Sequence, residues 1–252
     1  LLSAASDGAM KAWGLSATPP PAPLAHPGLV SGLVVLPDGS RFLTGCDDKQ
    51  VRLWNMTNDK TERLFSGPTL GILSVAANRS GDRIAAGSAD KSVHIWETNS
   101  GKVVAKIAGL SAAIRAVAFS GDGKRLVAGL ADGTLKTYDA ATGKEVKTLT
   151  AHKGAVNAIA VTSRGDAIVS AGEDGQLLTQ PIEGGAATPT KLTGPATAVV
   201  LHATGTPHAV AVGKSVQRFG ADGKVLPALE LGSPVRSLAL NADGKRLAVA
   251  CE

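Results

Sequence analysis

LSAAIRAVAFSGDGKRLVAGLADGTLKTYDAATGKEVKTLT, residues 110–150, reads as four short strands joined by three tight turns. IRAVAFS (114–120) is β-branched and aromatic in the manner of a strand, and GDGK (121–124) is a turn whose glycines are free to take positive φ. RLVAGL (125–130), TLKTYD (134–139) and EVKTLT (145–150) are three further strands, separated by the turns ADG (131–133) and ATGK (141–144). The apolar spacing is not helical, and Gly or Asp-Gly recurs roughly every eight to twelve residues. The stretch is an antiparallel meander.

Working outward, the same pattern returns with a fixed beat. Asp48, Asp90, Asp132 and Asp174 stand 42 residues apart, and Asp7 precedes them by 41. Six residues after each lie Trp13, Trp54, Trp96, Tyr138 and finally Gln180. One supersecondary unit has been copied along the chain. A lone four-stranded sheet cannot bury both of its faces. Stacking copies radially buries both and leaves short edges, which predicts an all-β fold, a β-propeller of four-stranded antiparallel blades. The reading places complete blades at 26–67, 68–109, 110–150, 151–194 and 195–232, with partial blades at 1–25 and 233–252, all in one domain. The copy at 195–232 is worn: HAVAVGKSVQRF (208–219) has lost the turn Asp and keeps the aromatic Phe219. TPPPAP (18–23) reads as an outer strand with its entry loop. Leu1 and Leu247 fall at equivalent positions, so the chain is cut inside a blade at both ends. The expectation is an excerpt of a longer chain whose ring has seven or more blades. The alternative is six blades with one terminal strand displaced.

Composition agrees. The 252 residues are 44% hydrophobic but only 3% aromatic, with 30 Gly and 13 Pro, which suits many short strands. No window approaches the ~18 apolar residues of a membrane-spanning helix. The start, LLSAASDGAM, lacks the cationic head and long apolar core of a signal peptide, and it lacks an initiating Met. The net charge is +5, but 26 basic and 21 acidic residues are interspersed, so nucleic-acid binding is not expected. Cys46 and Cys251, with no CxxC pair and no His at ligand spacing, are expected to be buried free thiols.

VRLWN (51–55), VHIWE (93–97) and LKTYD (135–139) resemble the WD-repeat (WD40-type) β-propeller family, over nearly the whole chain. The resemblance implies a structural hydrogen-bonded tetrad in each blade, made of an entry-loop His, a second-strand hydroxyl, the turn Asp and the third-strand Trp. A buried indole N–H needs an acceptor, and a turn Asp needs donors. Carried over by position, the tetrad is whole at His26, Thr44, Asp48 and Trp54. It persists at His152, Ser170 and Asp174, with Gln180 in the aromatic place. At Asp90 and Asp132, Pro68 and Leu110 replace the His, and Ala86 and Ala128 replace the hydroxyl. His and hydroxyl are kept or lost together, so each network is expected to be complete or absent. The family further implies a non-catalytic scaffold for a protein partner, within a larger multidomain protein. The regular Ala-, Gly- and Lys-rich repeats look bacterial.

No enzyme emerges from the residues. His94 lies in a third strand where Lys11, Arg52 and Lys136 stand in other copies, and it is expected to have a half-buried stem and a solvated head. His202 and His208, six apart on different predicted strands, can converge, but no Cys or carboxylate completes a zinc site. There is no nucleophile elbow, no phosphate-cradling glycine loop opening a helix and no calcium loop. No cofactor, metal, small-molecule substrate or membrane is expected, and the compartment is not readable. What remains is surface. The position near the start of each first strand is filled by Ser31, Leu73, Arg115, Asn157, Thr197 and Arg236. The residue before each turn Asp is Ser6, Asp47, Ala89, Ala131 or Glu173. By resemblance these lie on the partner-binding face, and Arg115, Asn157, Arg236, Asp47 and Glu173 are its candidates. The rival reading is a ligand-binding or enzymatic propeller with a site in the central channel. It needs titratable residues along first strands that mostly carry Val, Ile, Ala and Phe. A polyanion-binding module, the third reading, requires steep loss of binding with salt.

Overall fold

A computed structural model describes residues 2–4, 9–12, 24–202, 205–240 and 246–251, with side chains from Leu24 onward except at Thr150. Asp7, Trp13 and Ser6 lie outside the described residues. Among those described, every regular element is a strand and no helix is long and apolar enough to cross a membrane. The strands are β1 (Leu2–Ala4), β2 (Ala9–Ala12), β3 (Leu24–Ala25), β4 (Val30–Val35), β5 (Arg41–Cys46), β6 (Val51–Asn55), β7 (Lys60–Phe65), β8 (Ile72–Ala77), β9 (Arg83–Ser88), β10 (Val93–Glu97), β11 (Val103–Ile107) and β12 (Ile114–Phe119). There follow β13 (Arg125–Leu130), β14 (Thr134–Asp139), β15 (Glu145–Thr150), β16 (Val156–Val161), β17 (Ala167–Gly172), β18 (Gln176–Pro181), β19 (Thr188–Lys191), β20 (Ala196–Leu201), β21 (Pro207–Val212), β22 (Ser215–Phe219), β23 (Val225–Glu230), β24 (Val235–Leu240) and β25 (Leu247–Cys251).

Each run of four consecutive strands from β4 to β23 forms one meander sheet, giving the orders β4-β5-β6-β7, β8-β9-β10-β11, β12-β13-β14-β15, β16-β17-β18-β19 and β20-β21-β22-β23. β1-β2-β3 and β24-β25 are smaller sheets. The fold is all-β, built from the four-stranded antiparallel blades of a β-propeller. The chain divides into two compact units, Leu1–Val117 with Ala141–Gly143, and Ala118–Ala140 with Lys144–Glu252.

Within the first unit, adjacent blades bury their facing sides together. Leu36, Leu43, Val51, Leu53 and Phe65 pack with Ile72, Val75, Ile84, Ala86 and Trp96. Second-strand glycines set how closely the sheets approach: a Cβ on Gly45 would lie 2.5 Å from Ile72 Cγ2, and one on Gly87 2.6 Å from Ile114 Cγ2. In the second unit Val169, Ala171 and Leu177 pack with Ala196, Val199, Val210, Val212 and Phe219 in the same manner.

One feature of register recurs. The pairing of first with second strand slips by one residue at Val30/Gly32, Ile72/Ser74, Val156/Ala158, Ala196/Ala198 and Val235/Ser237. Each slip is a β-bulge, and the residues it leaves unpaired are Ser31, Leu73, Asn157, Thr197 and Arg236. A bulge re-aims the side chain it carries.

Candidate functional site

Three of the bulged residues clasp the next blade within their own unit. Ser31 Oγ donates to the Ile72 carbonyl of the next blade, Asn157 Nδ2 to Ala196 O at 3.0 Å, and Thr197 Oγ1 to Val235 O at 2.8 Å. Three of the polar first-strand side chains are therefore engaged in blade-to-blade hydrogen bonds. Leu73, at the same position, is half-buried and has no polar group to offer. Arg115 is exposed and has no partner among the described residues, and Arg236 is also exposed. Asp47 and Glu173, at the second-to-third-strand turns, are exposed. The Asp47 carboxylate lies directly over Gly71, where a Cβ would meet its Oδ1 at 2.1 Å. Of the five candidates for a partner face, Asn157 is thus tied into the scaffold. Its clasp was not visible in sequence, because one extra residue in a strand leaves no mark on composition.

The turn aspartates are held differently in each blade. At Asp48, His26 Nε2 and Trp54 Nε1 both meet Thr44 Oγ1, at 2.8 and 2.9 Å. The Asp48 carboxylate is gripped by the Arg52 guanidinium through both oxygens, and it accepts the Gln50 amide at 3.2 Å. Burial works to raise the Asp48 pKa, but Arg52, Cys46 and the Gln50 amide outweigh it and hold the carboxyl below its ordinary value. At Asp174, His152 bridges Asp174 Oδ1 and Ser170 Oγ, both at 2.9 Å. The Lys153 and Gln176 amides complete the Asp174 shell at 3.0 and 3.1 Å.

Where His and hydroxyl are missing, other groups step in. Asp90 accepts the Thr69 amide at 2.6 Å, its hydroxyl at 3.1 Å, and both the amide and hydroxyl of Ser92. Burial again raises its pKa, and Ser92 and Thr69 bring it below the ordinary value. Asp132 takes the Thr134 amide and hydroxyl at 3.1 and 2.7 Å.

The expectation that each network is complete or absent fails at two places. Gln180 is 3% exposed and its Nε2 has no acceptor among the described residues, although His152 and Ser170 beside it are satisfied. Tyr138, 1% exposed in the blade whose hydroxyl has become Ala128, has no partner for its O–H among the described residues, and burial pushes its pKa up. These blades tolerate an orphaned polar atom in exchange for a packed side chain.

The solvated head expected for the third-strand basic position is also corrected. Arg52 turns back to Asp48, and Lys136 Nζ reaches Glu145 at 2.8 Å and Thr148 Oγ1 at 3.0 Å. His94 is only 2% exposed, lies nearly parallel to Trp96 with ring centroids 5.5 Å apart, and is covered by Gly67. Its Nε2 has no partner among the described residues. Burial lowers its pKa and Lys106 adds to the effect, against a weaker opposing pull from Asp90. The thiols divide: Cys46 is buried and donates to Gly28 O at 3.3 Å, whereas Cys251 is exposed, not buried as expected.

A groove of about 610 Å³ in the second unit runs between the Glu173–Gln176 turn and residues 189–195, with Pro189, Lys191, Leu192 and Pro195 among its walls. Among the described residues no three His, Cys, Asp or Glu side chains converge as metal ligands.

Meander blades organised by a turn Asp and a third-strand aromatic define a repeat-built β-propeller. Residues 22–55 and 59–97 match the family described as WD domain, G-beta repeat. Residues 82–164 match the Anaphase-promoting complex subunit 4 WD40 domain. The chain belongs to the WD-repeat family. No curated protein matches it. Domains of this family typically act as non-enzymatic scaffolds for protein–protein interaction.

Proposed function

We infer that this chain is a non-catalytic scaffold that presents loop-end side chains to a protein partner, as a module of a larger multidomain protein. The observation that carries this reading is the division within the first-strand row. Ser31, Asn157 and Thr197 spend their polar groups on neighbouring blades, while Arg115 stands exposed with no partner among the described residues. A scaffold needs rigid blades and a few unspent side chains at their ends, and Arg is enriched among residues that dominate binding energy. Arg236, Asp47 and Glu173 are the further candidates, each exposed at the loop end of its own blade. One of the two matched families is named for a subunit of a complex, which fits a role in assembly. The blade limits 26–67, 68–109, 110–150, 151–194 and 195–232 belong to the same proposal.

Affinity capture from the source cells, with Arg115→Glu and Arg236→Glu made separately and together, tests it. The expected result is loss of the captured partner with a melting temperature within about 2 °C of wild type, since exposed substitutions change stability little. Capture that survives both reversals removes these positions from consideration.

A further inference from the structure

At the end of the first unit where the first strands begin, two large leucines stand in solvent. Leu29, before β4, is 45% exposed, and Leu70, before β8, is 51% exposed. Asp47 lies between them. Its amide donates to the Leu29 carbonyl at 2.9 Å, and its carboxylate rests on Gly71, where any Cβ would collide with Oδ1. Leu73 is half-buried and is left unpaired by the bulge at the start of β8. Arg115 follows at the head of β12, which is tied to β8 by the Val117 amide and Ser74 Oγ at 3.1 Å.

The two charges that flank these leucines are of opposite sign, and neither is spent. The Asp47 carboxylate and the Arg115 guanidinium are exposed, with no partner among the described residues. The other acids at this end are committed, Asp48 to Arg52 and Asp90 to Thr69 and Ser92. Lys49 and Lys91, one residue beyond each of those aspartates, are exposed.

Exposed leucines in one cluster mark a place where protein binds, and the charges narrow the choice of what binds there. A basic segment meets Asp47 but is opposed by Arg115, Lys49 and Lys91. An acidic segment meets those cations, yet to cover the leucines it must lay like charge over Asp47. A second copy of the same face brings both signs in the required order. Turned about a two-fold axis, it sets its Arg115 against Asp47 and its Asp47 against Arg115. Each attraction is then made twice, while leucines cover leucines. Lys49 and Lys91 add like charge on both sides and hold such a contact to the weak, reversible range.

We propose that this end of the first unit is a self-association face, on which a second copy docks with Asp47 of each chain paired to Arg115 of the other. The proposal rests on the scaffold reading, in that this is the end presented to partners, and it names one partner.

Sedimentation velocity of the purified chain over about 5–500 µM tests it, a span that covers the weak association expected of a small contact. Wild type should shift from monomer toward dimer as concentration rises. Asp47→Arg and Arg115→Asp should each weaken self-association at least about tenfold, because both pairs become like-charged. Mixed in equal amounts, the two variants should associate with each other about as tightly as wild type does with itself, since each arginine then faces an aspartate. That recovery also shows both variants to be folded. A wild type that stays monomeric, a dimer equally strong in the single variants, or no recovery on mixing overturns the proposal. Should either variant lose its melting transition, Leu29→Ser with Leu70→Ser takes its place, and a dimer unchanged by that pair rules the face out. Monomeric wild type whose Arg115→Glu variant still loses the captured protein separates the two readings: self-association fails and the scaffold stands.

Discussion

The blades β4–β7 and β8–β11 have the same strand order and the same bulge, yet they cover their tryptophans in opposite ways. Under Trp54 lies a polar chain, His26 to Thr44 to the indole N–H, with Arg52 clamped on Asp48. Under Trp96 the hydroxyl has become Ala86 and the entry-loop His has become Pro68. A histidine from the third strand lies flat against the indole instead. Both tryptophans are buried, at 7% and 1% exposed. Both blades thus keep a large aromatic at this position and a satisfied turn Asp. The fold does not need one particular set of donors to join them.

Removing the aromatics is the bluntest way to break the comparison. Trp54→Ala and Trp96→Ala should each cost about 3–5 kcal/mol in denaturant unfolding, the range for buried aromatic truncations. A loss under about 1 kcal/mol in either blade means that its tryptophan does not hold the two facing sheets together.

A smaller effect separates the two designs. Thr44→Ala strips the hydroxyl shared by His26 and Trp54 and should cost about 2–3 kcal/mol, because two buried groups lose a partner at once. Adding His26→Leu, the residue at the same position before β12, removes one of those orphans. The double variant should therefore cost at least about 0.5 kcal/mol less than the sum of the singles. Strict additivity indicates that His26 and Thr44 do not act as one network.

The designs also part in acid. His94 has a folded-state pKa below its ordinary 6.5 because it is buried. The unfolded chain therefore binds that proton more readily, and stability present above about pH 6.5 declines as pH falls through the folded pKa. Asp48 and Asp90 are both held below 3.8, so the stability they lend is lost only in stronger acid. His94→Leu should accordingly flatten the fall in the denaturation midpoint between pH 6.5 and 5. The same slope in wild type and His94→Leu excludes His94 as its source.

Much of this was legible in the sequence because it is local. A strand alternates over a few residues, a turn Asp and its glycine sit side by side, and the beat of 42 repeats both. The four sheets that carry Asp48, Asp90, Asp132 and Asp174 repeat one strand order, as that beat implies. Three features were not legible, each for a tertiary reason. The burial of His94 depends on Gly67 and Trp96 closing over it, which no spacing reports. The clasps of Ser31, Asn157 and Thr197 depend on a one-residue bulge. The orphaned Nε2 of Gln180 shows that packing can outweigh a hydrogen bond that the pairing of His with hydroxyl led one to expect.

The faintest difference lies in the turn that follows each Asp. The residue after Asp48 and Asp90 is Lys49 or Lys91, at φ of 73° and 64°, whereas the second unit uses Gly133 and Gly175 at 89° and 70°. A side chain held there carries a backbone cost that glycine escapes, offset by the greater freedom glycine has when unfolded. The two terms nearly cancel. Lys49→Gly and Lys91→Gly should each raise stability by only about 0.5 kcal/mol, leaving the Asp48 and Asp90 hydrogen bonds intact. A loss of 1 kcal/mol or more would show that these lysine side chains make contacts that stabilise the fold. The first unit would then differ from the second by more than the choice of turn residue.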